Sequence, residues 1–482
     1  MGFDVPRREM RLGALLVACA AGPVLGLGVA LLVAFDPTVG QYLSVDDLGV
    51  PASRSFLFPM TLGVTALIAV AGLVMGCRGF LFRERVRINI GIVVLFAMIP
   101  GFHYGPIHPS GFGLIFSALI LLALILVEHW PVRRDGPALA LIGLMTVFVF
   151  TSIISGRLSA LISVHTVLTK FVLVLVICGL TQNRRVLHWT LKLVVGFSAV
   201  SAVVAIASIV LYLTTGYELT YDDLMEVKNT PFGQMMRTTA FFSTTQGLAH
   251  ALILSTCLAL FMPIALWLRA LLVGIMGLGI FTTFSAGAYG AMAVGLVLAP
   301  FIAFPRHTLH ILAGMVSVGL LAYASGLVSL VMQQVLLPLG AGNAEERLEF
   351  IDAGLQAIGR EPLLGYGVKN IGRILDTAVH NAYVQMTADI GVIGGGAFIM
   401  FVVYLLVRAG LTQKYALTAD AKAWSKGLFL GMMVMSYHFI SEPFYDNTFS
   451  WLFMGLTLAD ITLRSSSGDR QPLLLLKRGA HV

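Results

Sequence analysis

At 482 residues, 58% hydrophobic and only 11% charged, with mean hydropathy +0.90, the chain falls outside the composition of soluble domains, about 25% of whose residues are charged. It reads as a polytopic membrane protein. The net charge of +7 implies no nucleic-acid partner, because loop Lys and Arg residues in such proteins set orientation.

A bilayer crossing takes about 20 apolar residues. Fourteen stretches qualify: 12–35, 56–77, 88–103, 110–128, 137–155, 159–181, 189–214, 238–262, 270–284, 286–304, 308–330, 383–407, 427–442 and 449–463. The first follows Arg7, Arg8 and Arg11 and exceeds a signal-peptide core of about 7–15 residues, so it reads as a retained anchor. The shortest are 88–103, 270–284 and 449–463, and 270–304 reads as one hairpin with a tight turn at "SAGAYG". The expected fold is all-α: a polytopic membrane helical bundle of about 12–14 transmembrane helices, with one long outer loop carrying a short amphipathic helix.

With both termini on the inner side, 22 of the 31 Lys and Arg residues fall in inner segments and 8 in outer ones, leaving Lys170 alone inside a span. An asymmetry of this size supports the orientation. Half of the outer cations lie in one long loop, 331–382, and Arg237 closes a smaller outer loop, 215–237. The expected organisation is N-terminal transmembrane helices over 1–234, a transmembrane core over 235–463 that includes the loop 331–382, and a cytoplasmic tail over 464–482. Four cysteines (Cys19, Cys77, Cys178 and Cys257) lie inside apolar runs without a C-x-x-C pair, which indicates neither a disulfide framework nor a zinc site. No cofactor and no metal are expected; His307 and His310 alone are a poor metal signal.

Within the long loop, Asn343 followed by Glu346 has the spacing of a helix start. Leu348, Ile351, Leu355 and Ile358 recur at helical spacing, and Gly359 with Pro362 ends the run, so the spacing predicts an amphipathic helix over 344–358. At about 100° per residue, Arg347 lies roughly 60° from the centre of the apolar face, near the membrane boundary. "EPLLGYG" follows, with Gly365 and Gly367 flanking Tyr366 for a tight turn. His380 and Asn381 then stand where the chain re-enters the membrane. Alone, His380 reads first as an interfacial residue with no chemistry, with a metal ligand, a proton relay or a base as the alternatives. Lys170, mid-span, needs a partner or a cavity, because insertion of a charge costs at least about 2.5–3.5 kcal/mol. Asp389, Glu442 in "SEPFYDN" and His250 sit near the outer boundary.

Taken together, Arg347, a helical stretch, "PLLGYG" and "HNAYVQMTADIGVIGG" resemble the shared region of the O-antigen ligase and polysaccharide polymerase superfamily, which also contains protein O-oligosaccharyltransferases. "MRTTAFFSTTQGLAHAL" (235–252) is similar to the family's outer Arg at the start of a span. "TTFSAGAYGAMAVGLVL" (282–298) is similar to a hairpin that often reads Ser-Arg-Gly, with Ala286 here in place of the Arg. The resemblance spans residues 235–407. It implies a metal-independent glycosyltransferase of the bacterial inner membrane that moves a glycan from an undecaprenyl-diphosphate carrier to an acceptor hydroxyl at the periplasmic face. The acceptor would be lipid A-core, a growing glycan, or protein. By matching position, Arg347 and Arg237 would hold the diphosphate and His380 would be the base. Lys170 is a further candidate for the anionic head group, and Asn381, Tyr366 and Glu442 are candidate substrate contacts.

The chemistry is consistent with those residue types. Arg neutralises a leaving diphosphate through bidentate donors and stays charged. An imidazole, whose unperturbed pKa is near about 6.5, can accept the hydroxyl proton at neutral pH. A lipid carrier keeps the diphosphate at the membrane surface, where both arginines are expected. The competing reading is a multi-span transporter or flippase of an anionic or lipid-linked substrate. It would place substrate groups at mid-depth in broken spans, whereas the candidate cations here cluster on outer loops.

Overall fold

A computed structural model describes residues 135–151, 184–215, 227–230, 233–240, 244–326, 344–375, 379–413, 418–443 and 447–466, with isolated residues between them, including much of 167–181. The expected spans from 12–35 to 110–128, Cys19, Cys77, Asn343 and the tail beyond Ser466 lie outside the described residues.

The described fold is helical apart from one small hairpin. α1 (Gly136–Thr151) and α2 (Arg184–Thr215) come first. The hairpin β1 (Val227–Thr230) and β2 (Gly233–Met236) follows, antiparallel with Val227 opposite Met236, in the outer segment where no regular structure was expected. Then come α3 (Thr245–Phe261), α4 (Leu266–Phe281), α5 (Ala286–Ala303) and α6 (Thr308–Ala324). The loop helices are α7 (Ala344–Arg360) and α8 (Asn370–Ile374). The chain ends in α9 (Ala382–Thr412), α10 (Ala419–Ser441) and α11 (Thr448–Ser466). Four stretches, 184–215, 286–303, 305–324 and 382–412, are long and apolar enough to cross a membrane, and the shorter apolar helices α1, α3 and α4 accompany them.

Packing follows from the apolar pattern. α3 is buried nearly all round, as a helix without a polar face must be. It packs on α10, α4 and α2, while α9 packs on α1, α10, α11 and α7. Small residues set the close approaches. A Cβ on Gly279 would meet the Ala202 Cβ at 2.7 Å, and one on Gly427 would meet the Leu258 Cα at 3.0 Å. With no hydrophobic drive between helices in lipid, such close contact is a main source of association. α6 buries none of its residues within the described fold and presents Leu309, Leu320 and Tyr323 outward.

Three details differ from the sequence expectation. The turn between α4 and α5 is "TTFS", with Ser285 capping α5 through Ala288 N (3.4 Å); "AGAYG" is the first turn of α5. The apolar stripe of α7 is split: Gly354 and Ala357 pack inward against the Val379 and Val384 region, while Leu348 and Leu355 stay exposed. The span expected over 383–407 is interrupted at Ile390 and Gly391.

Candidate active site

The break in α9 is the foundation of the site. Ile390 (φ −121°, ψ 17°) and Gly391 (φ 76°, ψ 170°) are non-helical, so nearby backbone groups lose their helical partners. The "PLLGYG" loop supplies replacements. Tyr366 N donates to Ala388 O (2.9 Å), Gly367 N donates to Asp389 O (2.8 Å), and Val392 N donates to Pro362 O (2.8 Å). Gly365 (φ 67°) lies so close that a Cβ there would meet Ala388 O and Asp389 O at 2.6 Å, so the position requires glycine on both conformational and steric grounds. The buried Asp389 carboxylate closes the clasp, accepting from Lys369 N (3.0 Å), Ile371 N (3.3 Å) and the Tyr445 hydroxyl (2.6 Å).

This clasp delivers two side chains from opposite ends of the loop. His380 has φ 44°, a left-handed conformation costing about 1–2 kcal/mol. Asn381 follows at once as the α9 cap, its Oδ1 accepting from Tyr383 N and Val384 N, each at 3.0 Å. A cap of this kind contributes about 1 kcal/mol, which offsets much of the strain. The His380 ring packs beside Phe350 of α7 (centroids 6.1 Å apart). Its Nδ1 is buried and lies 3.8 Å from Glu442 Oε2, too far for a hydrogen bond but within ion-pair range. Arg347, three residues before Phe350 on α7, reaches the same carboxylate from the other side: Nη2 to Glu442 Oε1 and Nη1 to Ser441 O, both at 3.5 Å.

Glu442 is therefore the meeting point. It is the first residue past α10, in extended backbone, and is 5% exposed. The start of α5 adjoins it, since a Cβ on Gly287 would lie 3.0 Å from Oε1. A helix N-terminus carries positive partial charge and favours a carboxylate there. Burial by itself would raise the Glu442 carboxyl, but the His380 imidazole, the Arg347 guanidinium and the His438 imidazole together hold it below the usual carboxylate value.

The remaining sequence candidates are placed as follows. Arg237, buried at the end of the hairpin, donates from Nε to Thr283 O (2.8 Å), so it holds the turn that leads into α5, whose Gly287 adjoins Glu442. Asn381 has its carbonyl oxygen engaged in capping, which positions His380. Tyr366 is half-buried against the small core formed by Ala357, Ile371, Val379 and Ala388. Lys170 is buried next to Phe171, which packs on Trp451 of α11. None of the described contacts of Arg347, Glu442 or His380 involves Lys170. His307 and His310 are exposed neighbours (centroids 6.0 Å apart), and no group of three metal-ligating side chains occurs among the described residues. His438 and Ser441 went unnoticed in the sequence; the signal available was their position within one turn of Glu442 in "HFISE".

Residues 271–399 match the family model described as O-antigen ligase. Over that segment, about a quarter of the chain, the sequence is similar to the O-antigen ligase family. The matched segment runs from α4 into α9, past the kink, and contains Arg347, Tyr366, His380 and Asn381. Arg237, Lys170 and Glu442 lie outside it, yet the fold brings Glu442 to both Arg347 and His380. No curated protein matches the chain.

Proposed function

We propose that the chain is a bacterial inner-membrane glycosyltransferase that moves a glycan from an undecaprenyl-diphosphate carrier to an acceptor hydroxyl at the periplasmic face. The observation that carries this reading is that Arg347 and His380, from opposite ends of the outer loop, meet on one buried carboxylate, Glu442. The ligase-family segment surrounds two of these three residues.

In this mechanism Glu442 faces Nδ1 of His380 and favours the tautomer that carries its proton there, leaving Nε2 as the base. The acceptor oxygen attacks the anomeric carbon of the lipid-linked sugar, and its proton passes to Nε2. The bond between that carbon and the bridging phosphate oxygen breaks, and its electron pair stays on the lipid diphosphate. Arg347 offers five donor hydrogens, and its two described contacts leave donors to spare for that charge. Arg237 supports the same region through the α4–α5 turn. Residues 235–463 form the transferase core, with 331–382 on the periplasmic side, 1–234 as supporting spans and 464–482 as the cytoplasmic tail. The acceptor is a lipid A-core or a growing surface polysaccharide.

The test is glycan transfer in isolated membranes supplied with lipid-linked donor. His380→Ala is expected to lower transfer by about 10²–10⁴-fold, and Arg347→Ala to raise the donor KM and lower the rate. Transfer that survives both changes refutes the enzyme reading. In a gene deletion, bare core with polymer held on the carrier identifies a ligase, and single capped repeats identify a polymerase.

A further inference from the structure

Behind Glu442 lies a second polar group that the mechanism above does not use. His250 of α3 and His438 of α10 are 0% and 1% exposed, and their Nδ1 atoms are 3.0 Å apart. His250 Nε2 lies 2.9 Å from the Ser450 hydroxyl of α11, and Phe439 stacks on the His250 ring (centroids 6.3 Å, interplanar angle 15°). Apolar side chains would fill this space without the cost of burying ring nitrogens, which is substantial unless they are hydrogen-bonded.

A nitrogen–nitrogen contact of this length requires one partner to carry the proton and the other to present a lone pair. If His250 Nδ1 donates, its Nε2 accepts from Ser450. If His438 Nδ1 donates, His250 Nε2 donates to Ser450. Either way the three side chains form one directed chain across the outer ends of α3, α10 and α11. Apolar packing alone is non-directional, whereas this chain sets the height and rotation of α10. That matters because His438 is one turn before Glu442: Glu442 N donates to His438 O (3.0 Å), and Ser441 Oγ donates to the same carbonyl (3.2 Å). The Glu442 contacts, at 3.5 Å to Arg347 and 3.8 Å to His380, tolerate little further separation.

We propose that His438 and His250 are positioning residues for glycan transfer: a buried, hydrogen-bonded pair that holds the outer end of α10 so that Glu442 stays in register with His380. The inference rests on the assignment of His380 as the base. A misplacement of about 1 Å costs about 10²-fold in rate, so His438→Leu is expected to lower kcat by about that factor with donor KM little changed. His438→Asn, which keeps an amide donor near the Nδ1 position, is expected to restore most of the loss. In a Glu442→Gln background, His438→Leu is expected to add little.

The experiment measures kcat, donor KM and melting temperature of the full chain in lipid for His438→Leu, His438→Asn, Glu442→Gln and the double variant, with His380→Ala in the same series. An unchanged kcat for His438→Leu overturns the inference. So does a loss of equal size in both Glu442 backgrounds, or a loss that tracks melting temperature and is not recovered by Asn. Should the leucine variant fail to fold, His438→Asn carries the test, and a hundred-fold loss in it counts against the pair. Transfer that survives His380→Ala overturns the base assignment and this inference together. Loss with His380→Ala but not with His438→Leu overturns the pair alone.

Discussion

Two Arg–carboxylate pairs sit at opposite ends of the α10–α11 region, and they are built differently. Arg464 is 5% exposed and saturated by its own protein: it donates to Asp460 Oδ1 from Nε (3.1 Å) and Nη2 (3.0 Å), to Thr412 O from Nη1 (2.8 Å), and to Ala421 O from Nη2 (2.8 Å). It ties the end of α9, the start of α10 and the end of α11 together. The Arg347 side chain is 34% exposed and makes two contacts at 3.5 Å. A guanidinium that finishes a fold spends its donors at short range. Arg347 keeps most of its donors out of its described contacts and stands beside a histidine, which is the arrangement that the proposed diphosphate contact requires.

The difference can be broken by substitution. Arg464→Ala leaves Asp460 buried without its partner and is expected to cost about 3–5 kcal/mol, read as a lowered melting temperature and reduced folded yield in detergent. Gly365→Ala should cost about 1–3 kcal/mol, because the new Cβ both strains φ and strikes the α9 kink. It should also reduce transfer, since the clasp sets the spacing of Arg347 and His380. Arg347→Ala also takes a cation from a buried carboxylate, but His380 and the start of α5 remain beside Glu442, so a smaller stability loss than that of Arg464→Ala is expected while transfer falls. Equal loss of stability in the two arginine variants would erase the distinction.

The smallest effect is on pH dependence. The Glu442 carboxyl titrates below its ordinary value when folded, so its contribution to stability is fully present above the ordinary carboxylate range. That contribution is lost as pH falls through the lower folded value. Acid titration of the melting temperature should show this limb in the native chain and a reduced one in Glu442→Gln.

Much of the helix content was legible because membrane spans obey a length and polarity rule that needs no tertiary context. The loop helix expected over 344–358 runs from Ala344 to Arg360, and the reason is local: helical spacing of apolar residues ended by Gly359 and Pro362. Arg347 and His380 stood out because outer-face cations and a boundary histidine run against composition. Asn381 and Tyr366 were singled out too, but a sequence does not distinguish a side chain that contacts a ligand from one that caps a helix or fills a small core. The kink at Gly391 was hidden in an apolar run long enough to cross uninterrupted, because its cause lies in a separate segment, Pro362–Gly367, that inserts against it.

By itself, then, the sequence determined the membrane class and the loop helix, and it singled out Arg347 and His380. These depend on composition and on short-range spacing. Only the tertiary structure decided that Glu442, 62 residues after His380, joins it to Arg347, and that His250 and His438, 188 residues apart, form a pair behind it. Those meetings depend on which helix ends reach the same height, and that is set by the α9 clasp and by glycine-mediated packing between distant helices.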